Sequence, residues 1–292
     1  MDTLTEALVH TKKFHRFPAP AKLNLFLHIV GQRLDGYHEL ETLFQFLDYG
    51  DNLAIKVNQN KDIILLTPIP GVNNEDNLII KAARLLQKHT NSPLGASIKI
   101  DKVLPMGGGL GGGSSNAATV LLALNYLWKT RLSQQQLAEL GVSLGADVPI
   151  FIHGFSAFAQ GIGEKLTPMS PKEYWFLVCK PDCHIATGDI FNAKELPRNT
   201  PKLSLTNIEV NLCHNDCQSL VIKNYPEVAN LLTWLLEYAP SRMTGTGACI
   251  FSYFNSEQEA KTVQAKLPPE IESFVAKGIN QSPLIKNIAA RK

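Results

Sequence analysis

Six glycines fall within seven positions in the stretch Pro105-Met106-Gly107-Gly108-Gly109-Leu110-Gly111-Gly112-Gly113-Ser114-Ser115-Asn116-Ala117-Ala118. Glycine loses more backbone freedom on folding than any other residue, so a chain concentrates it where side chains must be absent. A bare loop lets a ligand approach the backbone, and successive N–H groups then converge on an anion. The apolar run that follows, from about residue 115 to 128, predicts a helix. Its first turn would carry unpaired N–H groups and partial positive charge. Loop and helix together predict a phosphate cradle. Ser114 and Ser115 add hydroxyls for a phosphate oxygen or Mg²⁺. The ordinary alternative, a flexible linker or plain turn, fits poorly between a strand and a long apolar helix.

Three common nucleotide motifs fail. Gly107 to Gly112 satisfies G-x-G-x-x-G almost automatically, but the acid expected about 20 positions on is missing from Trp128 to Ser133. A Walker A loop ends in Gly-Lys-Ser/Thr, and Gly113-Ser114-Ser115 holds no lysine. A protein-kinase glycine loop leads into a strand, whereas a helical pattern follows here. Phosphate binding survives all three tests.

The rest of the chain narrows the class. Its 292 residues suffice for one large domain or two ordinary ones, and 45% hydrophobic residues support a sizeable core. A net charge of +2 does not suggest a nucleic-acid coat. The N-terminus, with Asp2 and Glu6, lacks the apolar region of a secretory signal. The most apolar run, Ala117 to Trp128, is too short to span a bilayer. The expectation is a soluble, cytoplasmic protein with no nucleic-acid or membrane partner, monomeric or a weak homodimer.

Five cysteines, an odd number, argue against a disulfide framework. Cys179/Cys183 and Cys213/Cys217 share a spacing, and His184 and His214 lie beside them, which raises zinc. Cys179 ends the apolar run Tyr174 to Cys179, where cysteine reads as a small hydrophobe in a strand.

Hydrophobic periodicity places the elements. Lys22 to Val30 alternates as a strand, with Leu23, Leu25, Leu27 and Ile29 on one face and Lys22, Asn24, Phe26 and His28 on the other. Asn52 to Val57 and Asp62 to Leu66 read as a hairpin, Asn77 to His89 as a helix, Ser97 to Ile100 as a strand and Ser133 to Leu140 as a helix. After about residue 165, where Gly161, Gly163, Pro168 and Pro171 cluster, the pattern restarts. Strands at 175–180, 249–254 and 273–277 alternate with helices at 228–238 and 256–266. This is an α+β pattern. The expected division is an extension at 1–15, an ATP-binding half at 16–165 and a second half at 166–292.

The glycine stretch resembles the ATP motif of the GHMP kinases, the family of galactokinase, homoserine kinase and mevalonate kinase. Pro20-Ala21-Lys22-Leu23-Asn24-Leu25 and Thr244-Gly245-Thr246-Gly247-Ala248 resemble two further blocks of that family, in its order. The resemblance spans about Pro18 to Pro283. It implies a two-domain α+β fold, with a ribosomal protein S5 domain 2-like first domain, a ferredoxin-like second domain and the active site in the cleft between them. Asp35 to Leu40, Leu43-Phe44-Gln45, Gly145 to Pro149 and Ser241 to Gly247 resemble one branch of the family. That branch phosphorylates the 2-hydroxyl of a cytidine-diphosphate-linked polyol, using ATP with Mg²⁺, in the non-mevalonate route to isoprenoid precursors.

The resemblance assigns roles. Phosphoryl transfer needs positioning, charge stabilisation and a base for the hydroxyl. Asp147 would be the base and also touch substrate; Lys22 would keep it ionised and contact the acceptor oxygen or moving phosphate. Residues Pro105, Met106, Gly107, Gly108, Gly109, Leu110, Gly111, Gly112, Gly113, Ser114 and Ser115 would bind ATP, with Asn77 near the adenosine. Asn24, Tyr37, His38, Thr187, Phe191, Thr246 and Gly247 would bind the acceptor, Tyr37 and Phe191 sandwiching the cytosine. No direct protein ligand to metal is assigned; Ser115 is the one candidate. Bland readings stand beside these. Asp147 could cap a helix, Tyr37-His38 could be a surface turn, and Thr244 to Ala248 a tight turn. Other functions remain open: a smaller alcohol such as mevalonate, homoserine or a sugar, a non-catalytic sensor on the same scaffold, or a nicotinamide enzyme, the last disfavoured by the missing acid.

Overall fold

Two long strands organise the molecule. In the computed structural model, which describes residues 13–204 and 208–291, β1 (His15–Gln32) and β2 (His38–Asn58) run antiparallel from His15↔Ile55 to Gln32↔His38. β2 has β1 along one edge. Its other edge is shared in sequence by β5 (Ala157–Gly161) at Leu40–Phe44, β10 (Glu272–Ile279) at Phe46 and Leu47, and β4 (Gly95–Asp101) at Asn52–Asn58. β3 (Ile63–Leu65) lies parallel to the outer side of β4, and β6 (Lys165–Pro168) pairs β5.

The expected hairpin of 52–57 with 62–66 is therefore overturned. β4 inserts between the two segments, because α1 (Leu78–Thr90) carries the chain over the sheet and returns it beside β2. Periodicity registers that a segment is extended, not which strand it pairs with. β1 also departs from the one-greasy-face reading: Lys22, Asn24, Phe26 and His28 are all buried. A register shift between Asn24 and Leu27 re-aims the strand as it passes from one core to another.

The first core packs α1, α2 (Gly112–Leu127), α3 (Gln134–Val142) and α4 (Val148–His153) on the sheet. Ser133 caps α3 in a reciprocal capping box with Gln136. The second half contains β7 (Trp175–Lys180), α5 (Thr187–Asn192), α6 (Asp216–Asn224), α7 (Pro226–Leu236), β8 (Ser241–Met243), β9 (Ile250–Phe254), α8 (Glu257–Gln264) and β10. Its strand order β10-β7-β9-β8, all antiparallel, is the ferredoxin-like arrangement.

Two segments that follow residue 165 in the chain pack with the first half. β6 still pairs with β5 of the first half. The last helix, α9 (Pro283–Ala289), returns to the first core through Leu284 and Ile288. Its apolar face is buried there, not on the ferredoxin-like sheet. Of the expected extension, residues 1–12 lie outside the described residues, and His15 already belongs to β1.

Candidate active site

The glycine stretch runs between β4 and α2 and meets the turn after β8 backbone to backbone. Ala248 N–H donates to Gly107 O and Cys249 N–H to Gly108 O, both at 3.3 Å. Gly109 and Gly111 are the positions that require glycine most directly. Both have positive φ, 74° and 72°. A Cβ on Gly111 would lie 2.8 Å from Phe151 Cζ and 3.0 Å from Lys22 Cε. The loop is thus a close-packed turn. Its concentration of glycine serves backbone conformation and contact between the two halves.

α2 begins at Gly112 with Gly111 as N-cap and no side-chain cap. Its first N–H groups have no intrahelical partner, as in any helix start. They open on a cleft of about 570 Å³ lined by both halves. Lys22, Asn24, Asn77, Pro105 to Ser114, Asp147, Thr187, Phe191 and Thr246 all line it. So do Lys102 and Asn116, which the sequence reading missed.

Lys22 is the centre of the site. Its buried ammonium donates to Asn24 Oδ1 at 2.6 Å and Gly109 O at 3.1 Å, and stands 3.1 Å from Asp147 Oδ2. An ammonium has three N–H donors, so these three acceptors satisfy it. The Phe44 ring lies 5.2 Å away. Asp147 holds the N-cap position of α4 but makes no capping hydrogen bond. The bland helix-cap role is thus not what its carboxylate does. Its side chain retains 32% exposure, toward the cleft it lines.

Asn24 is engaged at both ends, accepting from Lys22 and donating to Thr42 Oγ1 at 2.9 Å. Its backbone N–H donates to Thr244 Oγ1 at 2.9 Å, tying β1 to the second loop. Thr187 and Thr246 hydroxyls lie 3.0 Å apart across the second half's side of the cleft.

Two buried polar atoms in the cleft lining have no protein partner. Asn77 accepts from Ile79 N–H as N-cap of α1, which leaves its Nδ2 unpaired. Asn116 donates to Asp51 Oδ2 at 3.0 Å, which leaves its Oδ1 unpaired. Orphaned buried polar atoms are costly unless something occupies them. Asp51 also accepts from Val103 and Leu104 N–H and pairs with Lys102 at 3.1 Å, fixing the entry to the glycine loop.

Four expected residues fall outside the lining. Ser115 is buried and donates to Pro20 O at 2.7 Å, so its hydroxyl braces α2 against β1. Gly247 is a buried turn residue packed on Met243 and Ile185. Tyr37 is 60% exposed, and no ring partner engages it among the described residues. The ring stacked on Phe191 is that of His38, at 5.1 Å and 29°. The Tyr37–Phe191 sandwich is therefore not assembled in the protein alone. Arg198, also missed, donates from Nε to His38 Nε2 at 3.0 Å. Burial, and secondarily Arg198, lower the His38 pKa from its ordinary value.

Among the described residues no three His, Cys, Asp or Glu side chains converge to hold a metal ion. Cys179 and Cys217 sit in the second core, where burial pushes both thiols up to about 12. They pack as hydrophobes. No helix among the described residues is long and apolar enough to cross a membrane.

The model of the GHMP kinases N terminal domain matches residues 77–155, and that of the GHMP kinases C terminal matches residues 193–271. A 4-diphosphocytidyl-2-C-methyl-D-erythritol kinase of Colwellia psychrerythraea is 64% identical over 94% of this chain and 93% of the relative. One of Pseudoalteromonas atlantica is 59% identical over 94% and 96%. The crystal structure of a 4-(cytidine 5'-diphospho)-2C-methyl-D-erythritol kinase superposes with a TM-score of 0.80 at 30% identity, covering 90% of this chain and 99% of that one. Methanococcus jannaschii mevalonate kinase shares the fold, with a TM-score of 0.66 at 15% identity over 92% and 99% of the two chains.

Proposed function

The chain belongs to the GHMP kinase family, and from that premise we propose that it transfers the γ-phosphoryl group of ATP to the 2-hydroxyl of 4-diphosphocytidyl-2-C-methyl-D-erythritol. The reaction lies in the non-mevalonate route to isoprenoid precursors. The observation that carries the mechanism is the Lys22–Asp147 pair, 3.1 Å apart in the cleft onto which the glycine loop and the start of α2 open.

The α2 N–H groups and the loop backbone bind the triphosphate, with Lys102 adding charge at the rim. Asn77 Nδ2 and Asn116 Oδ1 offer unpaired polar atoms to the nucleotide. Asp147 accepts the proton of the attacking hydroxyl. Lys22 lies 3.1 Å from the Asp147 carboxylate and exchanges one of its three contacts for the phosphoryl oxygen in the transition state. Asn24 and Gly109 hold the ammonium in place for that exchange. Thr187 and Thr246 face the acceptor's diphosphate, and Tyr37, His38 and Phe191 form its base site.

Mg²⁺, when bound with ATP, would offset phosphate charge during transfer. The residues fit it as a passenger of the phosphates, with Ser114 the hydroxyl that lines the cleft beside the helix start. Ser115 is occupied with Pro20.

An ADP-release assay with the cytidyl polyol beside mevalonate, homoserine and galactose tests the reading. Turnover is expected with the cytidyl substrate alone. Preference for any of the other three would overturn the acceptor, and turnover of none would return the chain to a sensor role.

A further inference from the structure

We propose that Arg198 is a positioning residue that sets the cytosine preference of the site, by holding His38 in its neutral, Nδ1-protonated form. The inference rests on the base site proposed above. A guanidinium has five N–H donors and no acceptor, and it stays charged at all accessible pH. All five donors of Arg198 are used. Nε donates to His38 Nε2 at 3.0 Å. Nη1 donates to Lys194 O and Leu196 O, at 3.4 and 3.0 Å. Nη2 donates to Phe191 O and Ala193 O, at 3.2 and 2.8 Å.

One side chain thus clamps the end of α5, which carries Phe191, to the imidazole of β2 that stacks on Phe191. Among the described residues Arg198 has no carboxylate partner within ion-pair distance. Its charge is answered by carbonyls and by the lone pair of His38.

The chemical consequence lies on His38. An imidazole nitrogen that accepts from a permanent donor carries no proton of its own. Nε2 is therefore the acceptor, and the single ring proton resides on Nδ1. Among the described residues no hydrogen bond uses Nδ1, and it is not one of the buried polar atoms sealed off without a partner. His38 is left with one free, fixed donor.

Cytosine presents an unprotonated N3, an acceptor. Uracil presents N3–H, a donor. A fixed Nδ1–H matches the first and opposes the second. An imidazole free to exchange tautomers would serve both bases. A site built around one hydrogen-bond polarity rejects the mismatched ligand far better than shape alone does.

The test has two arms. Long-range ¹H–¹⁵N spectra of ¹⁵N-histidine-labelled wild type report which His38 nitrogen bears the proton. Protonated Nδ1 and bare Nε2 are expected; the opposite tautomer or a freely exchanging ring would overturn the proposal without any variant. In the second arm, kcat/KM is measured for the cytidine-diphosphate-linked polyol and its uridine counterpart, in wild type, R198M and R198K. The cytidyl-over-uridyl preference should fall at least about tenfold in both variants, through KM and with kcat for the cytidyl substrate retained. An unchanged preference with an altered tautomer would overturn the link to base choice. A wild type inactive on the cytidyl substrate would instead defeat the base-site reading itself, leaving the tautomer result to stand alone.

Discussion

At the scale of single residues, Asp147 stands where a capping side chain would normally sit and yet does not cap. Its carboxylate faces a buried ammonium 3.1 Å away. Breaking a buried pair from one side leaves an uncompensated charge. Asp147→Asn keeps the shape and removes the base, so turnover should drop by about 10²–10⁴-fold with ATP affinity retained. Isothermal titration with a non-hydrolysable ATP analogue, run beside the ADP assay, separates the two; undiminished turnover would remove Asp147 as the base. His28 belongs to another buried cluster, where its Nε2 accepts from His214 N–H and its Nδ1 has no partner. Burial, then the neighbouring His214, lower its pKa from the ordinary 6.5. The unfolded chain therefore binds a proton there that the folded chain resists. Stability is lost as pH falls from about 6.5 toward the lower folded value. In urea titrations between pH 7.5 and 5.5, His28→Phe should show a shallower loss than wild type; equal slopes would show that His28 does not contribute.

At the scale of elements, the glycine loop joins conformation to chemistry. Gly111 has φ 72°, and its missing side chain leaves room for Phe151 and Lys22. Gly111→Ala pays the left-handed backbone penalty, about 1–2 kcal/mol, and also presses on the Lys22 stem. Activity should fall by more than the stability change explains, since Lys22 shifts against Asp147; urea denaturation beside kcat reads both, and a loss confined to stability would count against that coupling. The helices expected at 77–89, 115–128 and 133–140 carry local signals, namely Asn77 as a cap, the apolar run after Gly113 and the Ser133 capping box, whereas the short helices α4, α5, α6 and α9 had none strong enough to be read. The hairpin misreading had no such protection. The segments at 52–57 and 62–66 look extended in isolation, and only β4, from residues 95–101, decides their partner. Ser115 was misplaced for a similar reason. Neighbouring serines at a helix start point in different directions, and the packing of α2 on β1 turns Ser115 inward and leaves Ser114 in the cleft.

At the scale of the whole molecule, the two halves are interleaved. β10 pairs with β2, β1 supplies Leu27 and Ile29 to the second core, and α9 returns Leu284 and Ile288 to the first. Leu284→Ala should cost about 2–5 kcal/mol, the range for a large-to-small change in a packed core. Tyrosine and tryptophan fluorescence should then report one shifted unfolding transition; a transition confined to one half would show that α9 does not couple them. What the amino-acid sequence determined alone was everything carried by residues near one another in the chain. The glycine loop leading into a helix, the helices at 77–89, 115–128 and 133–140 and the family-like blocks around Lys22, Asp147 and Thr244 are of this kind, because glycine content, capping groups and periodicity act over a few residues. Tertiary structure decided which strand lies beside which, that Lys22 and Asp147 meet across 125 positions of chain, and that an arginine with no local motif grips His38 from 160 positions away. Those contacts follow from burying long apolar strands on both faces, and that constraint belongs to the assembled sheet and to no segment within it.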